Sequence, residues 1–293
     1  MPCFHPLPAW RSRSLNPSGK RGVTFTLASA LGDGRVGQLG LPCGKCDGCV
    51  AMRAGEWALR CEHEALLYDS NWFLTLTYRE VPPGGSLRLK DLQLFWKRLR
   101  KLYPGVRYFA CGEYGEDLAR PHYHVLAFNL LLPDMSMRRR SDGKVMYGSA
   151  ELERLWGLGS VWIDQVTPGS IRYVTSYMLK AAPPSSSALL RPFQVMSRRP
   201  GLGRQFISSF LSDVYPDGFV TRPGGSRRRA PRYYDLVCES VDPRMFRRVK
   251  RLRAAVAAGS VDRTGPRLLV REAVDKGASS WYSESHRRSY EGS

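Results

Sequence analysis

The spacing of apolar and polar positions divides the chain into segments of two different periods. Residues 50–68 place Val50, Ala54, Trp57, Cys61, Ala65 and Tyr68 at steps of four and three, which is one face of a helix. Residues 72–78, WFLTLTY, alternate between leucine and threonine instead, and predict a strand. A PPGG break follows, and KDLQLFWKRLRKLY then sets Leu92, Phe95, Leu99 and Leu102 along one side of a basic helix. Two further strands are expected over 106–113 and 121–128, joined by the short turn YGEDLAR, with a basic loop around MRRRSDGK after them. A helix over 149–157 and a strand over 160–166 come next. The last helix of the series starts from Thr167 as N-cap with Pro168 in its first turn, and runs to about Lys180, ahead of Pro183 and Pro184. This β-α-β-β-α-β-α order predicts an α+β fold, a central and mostly antiparallel sheet flanked by helices.

Outside that series the pattern weakens. Residues 1–49 are rich in Gly, Pro and Cys with little periodicity, and beyond PPSSS the chain carries basic clusters at 227–229 and 247–253 and an Ala-rich helix near 244–258. The expected division is therefore a Cys-rich segment with the first helix (1–64), a core (65–182) and a basic appendage (183–293), with no internal repeat. Charge narrows the function: 45 Lys+Arg against 26 Asp+Glu give +19, an excess that favours a polyanionic partner, most commonly nucleic acid. No apolar stretch is long enough for a membrane span, and MPCFHPLPAW lacks a leader pattern. With seven cysteines besides, the expectation is thiols or metal ligands in a reducing compartment rather than a disulfide framework.

Three groups of residues carry candidate chemistry. His122 and His124 are two apart in an expected strand and so project to the same side, with Leu126 and Phe128 beyond them. Glu113 closes the preceding strand, and an antiparallel hairpin brings it beside His122. Two imidazoles and a carboxylate make a three-ligand site with open positions, suited to Zn, Mn, Fe(II) or, less well, Mg. On the last helix, Tyr173, Tyr177 and Lys180 share one stripe. A phenol with an ordinary pKa near 10 is only ~0.1% ionised at neutral pH, a handicap of roughly 4 kcal/mol, so a tyrosine nucleophile needs a cation beside it. Together the six residues suit a nuclease. Separately, Cys43, Cys46 and Cys49 have tight metal-ligand spacing, with Cys3, His5 or Cys61 as the fourth donor of a structural zinc site. No phosphate-binding G-x-x-x-x-G-K-[ST] run is present, so unwinding by this chain with ATP is not expected.

The segments MPCFHPL, PCGKCDGC, GEWALRCEHEA, FLTLTY, GEYGE, RPHYHVLAF, YVTSYMLK and MSRRPGLG, spread over most of residues 1–206, resemble the HUH endonucleases, named for a His-hydrophobic-His pair. More closely they resemble the replication initiation proteins of microviruses, phages with circular single-stranded DNA, of the gokushovirus type. The resemblance implies a ferredoxin- or RRM-like nuclease core. His122 and His124 are then metal ligands with Glu113 as the third, Tyr173 and Tyr177 are paired nucleophiles, and Mg²⁺ or Mn²⁺ is the cofactor. It also implies rolling-circle initiation. One tyrosine opens a single-stranded DNA origin, leaving a 5′-phosphotyrosine and a 3′-OH for a host polymerase, and the other rejoins the strand after one circuit. A host helicase follows as a partner, and the host bacterial cytoplasm as the location. Two other readings compete. A non-enzymatic, zinc-stabilised single-strand binder accounts for the charge and the cysteines. An oxygenase with two histidines and one carboxylate accounts for the ligand set but leaves the tyrosine stripe without purpose.

Overall fold

The computed structural model describes residues 3–17, 19–32, 38–115, 118–139, 145–176, 189–222, 224–258 and 264–290. The chain forms two compact units, Met1–Arg53 with Val256–Ser293, and Ala54–Ala255. It begins with three strands, β1 (Leu7–Leu15), β2 (Arg21–Thr24) and β3 (Leu39–Leu41), which make a small antiparallel sheet in the order β2-β1-β3. The sequence shows little period here because only Ala9 of β1 is buried, so no alternation of apolar residues is needed.

Helix α1 (Asp47–Ala65) leads into the second unit. There the order is β4 (Asn71–Thr77), α2 (Leu89–Leu102), β5 (Arg107–Tyr114), β6 (Pro121–Phe128), β7 (Ser136–Arg139), β8 (Val145–Gly148), α3 (Ala150–Trp156), β9 (Val161–Gln165) and α4 (Pro168–Ser176). The expected fold class is observed: an entirely antiparallel seven-stranded sheet flanked by helices, in the order β10-β5-β6-β4-β9-β8-β7, with β10 spanning Phe193–Met196. Three strands of this sheet differ from the sequence reading. The basic stretch expected as a loop begins within β7, which pairs with β8; at four residues each, both strands are too short to show a period. β10 falls in the stretch assigned to a basic appendage, yet pairs with β5 from Phe193↔Gly112 to Met196↔Phe109.

Strand β6 shows how the sheet is built. Tyr123, Val125 and Ala127 face a core with Leu92, Phe95, Trp96 and Leu99 of α2 and Leu152, Leu155 and Trp156 of α3. The alternate residues Leu126 and Phe128 face a second core with Cys61 of α1 and Ile171 and Val174 of α4. Both faces are covered, which is why the strand reads as a nearly continuous apolar run. Leu102, expected on the buried side of α2, is exposed at the helix end, and Trp96 is buried instead. α3 is closed by Gly157, whose left-handed φ of 70° lets its N–H reach the Glu153 carbonyl. At Gly159 a Cβ would lie 2.2 Å from the Thr77 carbonyl oxygen, so only glycine lets this loop approach the end of β4.

The chain continues as α5 (Arg204–Ser209), α6 (Leu211–Val214), the hairpin β11 (Phe219–Thr221) and β12 (Arg227–Arg229), α7 (Arg232–Val241), α8 (Pro243–Ala258) and α9 (Gly265–Tyr290). α5 to α8 enclose a third core with Leu59 of α1, centred on Tyr215, Tyr234, Cys238 and Val249. Among the described residues no helix is long and apolar enough to cross a membrane.

Candidate active site

The register of β5, β6 and β4 assembles the site. Glu113 stands directly opposite His122, and His124 opposite Cys111 on one side and Thr75 on the other. Because alternate residues share a face, Phe73, Thr75, Glu113, His122 and His124 all stand on the face that α1 and α4 cover. Nε2 of His122 and Nε2 of His124 lie 2.7 and 2.8 Å from the same Glu113 Oε1. The three donor atoms are mutually within 4.8 Å, close enough to share one ion.

Each imidazole is aimed from behind. His122 Nδ1 lies 3.1 Å from the Arg120 carbonyl, to which it can only donate, and His124 Nδ1 lies 3.1 Å from Thr75 Oγ1. Committing Nδ1 in this way turns Nε2 toward the site, the usual device for orienting a metal-binding histidine. Phe73 stacks on His124 with centroids 5.4 Å apart and fixes the ring plane. Burial works to raise the Glu113 carboxyl, but hydrogen bonds from both imidazoles and their charge overcome it and hold it down at about 2. It is therefore an anion at neutral pH. Two nitrogens and one anionic oxygen, all from rigid strands, fit a divalent cation with positions left for other ligands.

α4 brings the tyrosine. Its start is set as expected: Ser170 N–H donates to Thr167 Oγ1 at 3.1 Å, and Thr167 N–H donates to Ser170 Oγ at 2.8 Å. Ile171 and Val174 anchor the helix in the core, which leaves Tyr173 43% exposed. Its hydroxyl lies 3.4 Å from His124 Nε2, and its ring meets Phe73 edge-on. An exposed phenol thus borders the three-donor set. Tyr177 and Lys180 lie outside the described residues, as does Arg140 of the basic cluster Arg138–Arg140.

Known proteins resemble the stretch of chain that carries this site. The family model for replication-associated protein ORF2/G2P matches residues 71–182, from β4 through α4. The chain is 34% identical over 206 residues to replication-associated protein VP4 of Bdellovibrio phage phiMH2K, covering 66% of this chain and 65% of that protein. It is 29% identical over 214 residues to replication-associated protein ORF2 of Spiroplasma virus 4, covering 67% and 66%. With replication-associated protein ORF4 of Chlamydia phage 1 the identity is 30% over 213 residues, covering 66% and 52%. Over this length the chain is similar to phage replication-associated proteins, and residues 71–182 match their family model. The matches span from about half to just under two thirds of the relatives' own lengths. No solved structure matches the chain. Glu113, His122, His124 and Tyr173 all fall within the family's matched region.

Thr75 and Phe73 were not singled out from the sequence, although FLTLTY was. Their signal is the alternation itself: leucines on one side of a strand buried on both faces leave a threonine on the other side with a polar neighbour to serve. Trp96 and Trp156 are buried core. Arg138 is engaged by Glu153 through both terminal nitrogens. A different basic feature emerges where β5 begins and β10 ends. Arg100, Arg107, Tyr108, Ser197, Arg198 and Arg199 line a cavity of about 680 Å³ with no carboxylate in its walls. Arg107 is tied to buried Glu64, whereas Arg100, Arg198 and Arg199 have no carboxylate partner among the described residues. Arg107 and Glu113 are six residues apart on β5, roughly 20 Å at ~3.3 Å per residue, so this cavity is separate from the histidine site.

The cysteines form a second donor cluster in the first unit. Sγ atoms of Cys3, Cys43, Cys46 and Cys49 lie mutually within 4.8 Å. Of the alternatives to Cys3, His5 pairs with Glu272 at 3.0 Å and Cys61 is enclosed in a core of the second unit. Cys111 and Cys238 are buried thiols.

Proposed function

We propose that this chain nicks and rejoins single-stranded DNA at a phage replication origin, using Tyr173 as a nucleophile beside a divalent cation held by Glu113, His122 and His124. The observation that carries this reading is the 3.4 Å approach of the Tyr173 hydroxyl to His124 Nε2. A solvent-accessible phenol next to a ligand set with open positions is the arrangement that attack on a metal-neutralised phosphodiester requires. An oxygenase has no use for it.

When bound, Mg²⁺ or Mn²⁺ would supply charge neutralisation at the scissile phosphate. The chain's own residues do the positioning. Arg120 O and Thr75 hold the imidazoles, and Ile171 and Val174 hold α4 so that Tyr173 faces the site. The phenol gives up its proton, its oxygen bonds to phosphorus as the bond to the 3′ oxygen breaks, and that oxygen takes up a proton to leave as a 3′-OH. One ester replaces another, so the linkage energy is kept for rejoining. Tyr177 is the expected second nucleophile and Lys180 the expected cation beside the phenols. Arg100, Arg198 and Arg199 are the proposed contacts for the backbone of the same strand. In the host cytoplasm the 3′-OH would serve a host polymerase, and unwinding would fall to a host helicase.

The test is incubation of the protein with labelled single-stranded origin oligonucleotides and Mn²⁺, followed by denaturing electrophoresis and peptide mapping. A covalent adduct on Tyr173 or Tyr177, lost in the Tyr173→Phe, Tyr177→Phe double variant, supports the reading. Absence of any adduct, or one that persists in the double variant, overturns it. Binding without scission would leave the non-enzymatic single-strand binder as the better account.

A further inference from the structure

We infer that Cys3, Cys43, Cys46 and Cys49 hold one zinc ion, and that this ion supplements the small apolar core formed by the described residues of the first unit. The sulfur geometry is specific. Cys43 and Cys49 Sγ are 4.0 Å apart, and Cys46 and Cys3 Sγ 3.9 Å apart. A tetrahedral ion with Zn–S bonds of ~2.3 Å sets its sulfurs about 3.8 Å from one another. A disulfide needs about 2.05 Å, so these thiols surround a point rather than pair. An iron–sulfur cluster would push its thiolates farther apart, because its inorganic core stands between them.

The backbone around the thiols is arranged for thiolate charge. Cys43 N–H donates to Cys3 Sγ at 3.2 Å, Phe4 N–H to Cys46 Sγ at 3.4 Å, and Cys46 N–H to Cys43 Sγ at 3.4 Å. Peptide donors turned toward sulfur offset the charge that four thiolates would otherwise leave on the ion. Gly44, at φ +75°, makes the turn that brings Cys43 and Cys46 to the same point. Cys49 lies in the first turn of α1, and Cys3 comes from 40 residues before Cys43, so the cluster ties the strand-bearing segment to the helix start.

The need for such a tie is visible in the burial. In the first unit the buried apolar residues among those described are Phe4, Ala9, Ala30, Cys49 and Leu268. Two of the five are alanines, and the sheet β2-β1-β3 is largely exposed. Units with this little core are ordinarily held by a disulfide or a metal, and four thiols that are not disulfide-bonded leave the metal. Zinc is favoured over a lone iron because a purely structural tie calls for no redox chemistry and zinc has none. This inference does not depend on the nuclease reading.

The test uses the full-length chain purified under reducing conditions. Metal analysis should give about one zinc per chain resistant to mild chelation, retained in the His122→Ala, His124→Ala double variant and lost in Cys43→Ser and in Cys3→Ser. Cobalt-loaded wild-type protein should show the intense visible bands of tetrahedral four-sulfur coordination, a readout that needs no variant to fold. Limited proteolysis of Cys43→Ser should cut residues 3–53 about tenfold faster than wild type while sparing the second unit, which has cores of its own. Zinc content unchanged by the cysteine substitutions, iron in place of zinc, or cobalt spectra without sulfur bands would each overturn the inference.

Discussion

Glu113, His122 and His124 offer one oxygen and two nitrogens from neighbouring strands, whereas Cys3, Cys43, Cys46 and Cys49 offer four sulfurs from a terminus, a turn and a helix start. The first set is built on a sheet that would stand without an ion, leaves coordination positions open and has an exposed phenol at its edge. The second encloses a point completely and sits where little else holds the chain. The difference between three donors and four is the difference between an ion that can accept a substrate oxygen and one that can only cross-link.

That contrast can be broken most severely by a chelator. EDTA should abolish adduct formation, and added Mn²⁺ should restore it, while zinc in the cysteine cluster stays bound until the thiols are alkylated. Release of both metals together under mild chelation would erase the distinction. A stability measurement shows whether the body of the second unit behaves independently of either cluster. His63, stacked on Phe206 with Nδ1 2.8 Å from the Tyr234 hydroxyl, is pushed down to about 4 by burial and by nearby Arg222. Its folded pKa lies below its ordinary value of 6.5, so below pH 6.5 the unfolded chain takes up a proton that the folded chain refuses. Stability from this position is therefore full above pH 6.5 and declines as pH falls toward 4, by on the order of 3 kcal/mol. Thermal melts between pH 7 and 4.5 should show this decline in wild type and in the metal-site variants, but less of it in His63→Gln.

Smaller effects sharpen the open site. Thr75→Val keeps the shape but removes the partner of His124 Nδ1, and should weaken Mn²⁺ binding about tenfold, read by titration. An unchanged affinity would show that stacking on Phe73 alone aims the ring. Smallest is the paired change Arg198→Ala, Arg199→Ala. It should lower single-strand affinity several-fold and flatten the salt dependence by about 1.4 log units per log unit of salt, at ~0.7 per phosphate contact. Adduct formation on short oligonucleotides should persist.

The central sheet was legible because β4 alternates, β6 is a nearly continuous apolar run, α2 carries a helical period and α4 its own cap at Thr167. The pairing of Glu113 with His122 followed from a short hairpin between two readable strands. β7 and β8 were not legible, since four residues each are too few to show an alternation, and β10 is held by its pairing with β5 rather than by a pattern of its own. The basic cavity was equally hidden. Arg100, Arg198 and Arg199 are ordinary surface arginines until β10 docks beside β5 and α2 ends above them.

Local chemistry, written along the chain, determined which residues could do the work: the strand that points two histidines one way, the cap that starts a helix before Tyr173, and three cysteines at ligand spacing. Tertiary structure alone decided which of them meet. The register across three strands put Thr75 behind His124, and the fold of the first unit brought Cys3, rather than His5 or Cys61, to the other three thiols. Periodicity reports how a residue faces its own element. Contact between elements depends on register and docking, which are set by packing over the whole sheet and leave no mark on any single segment.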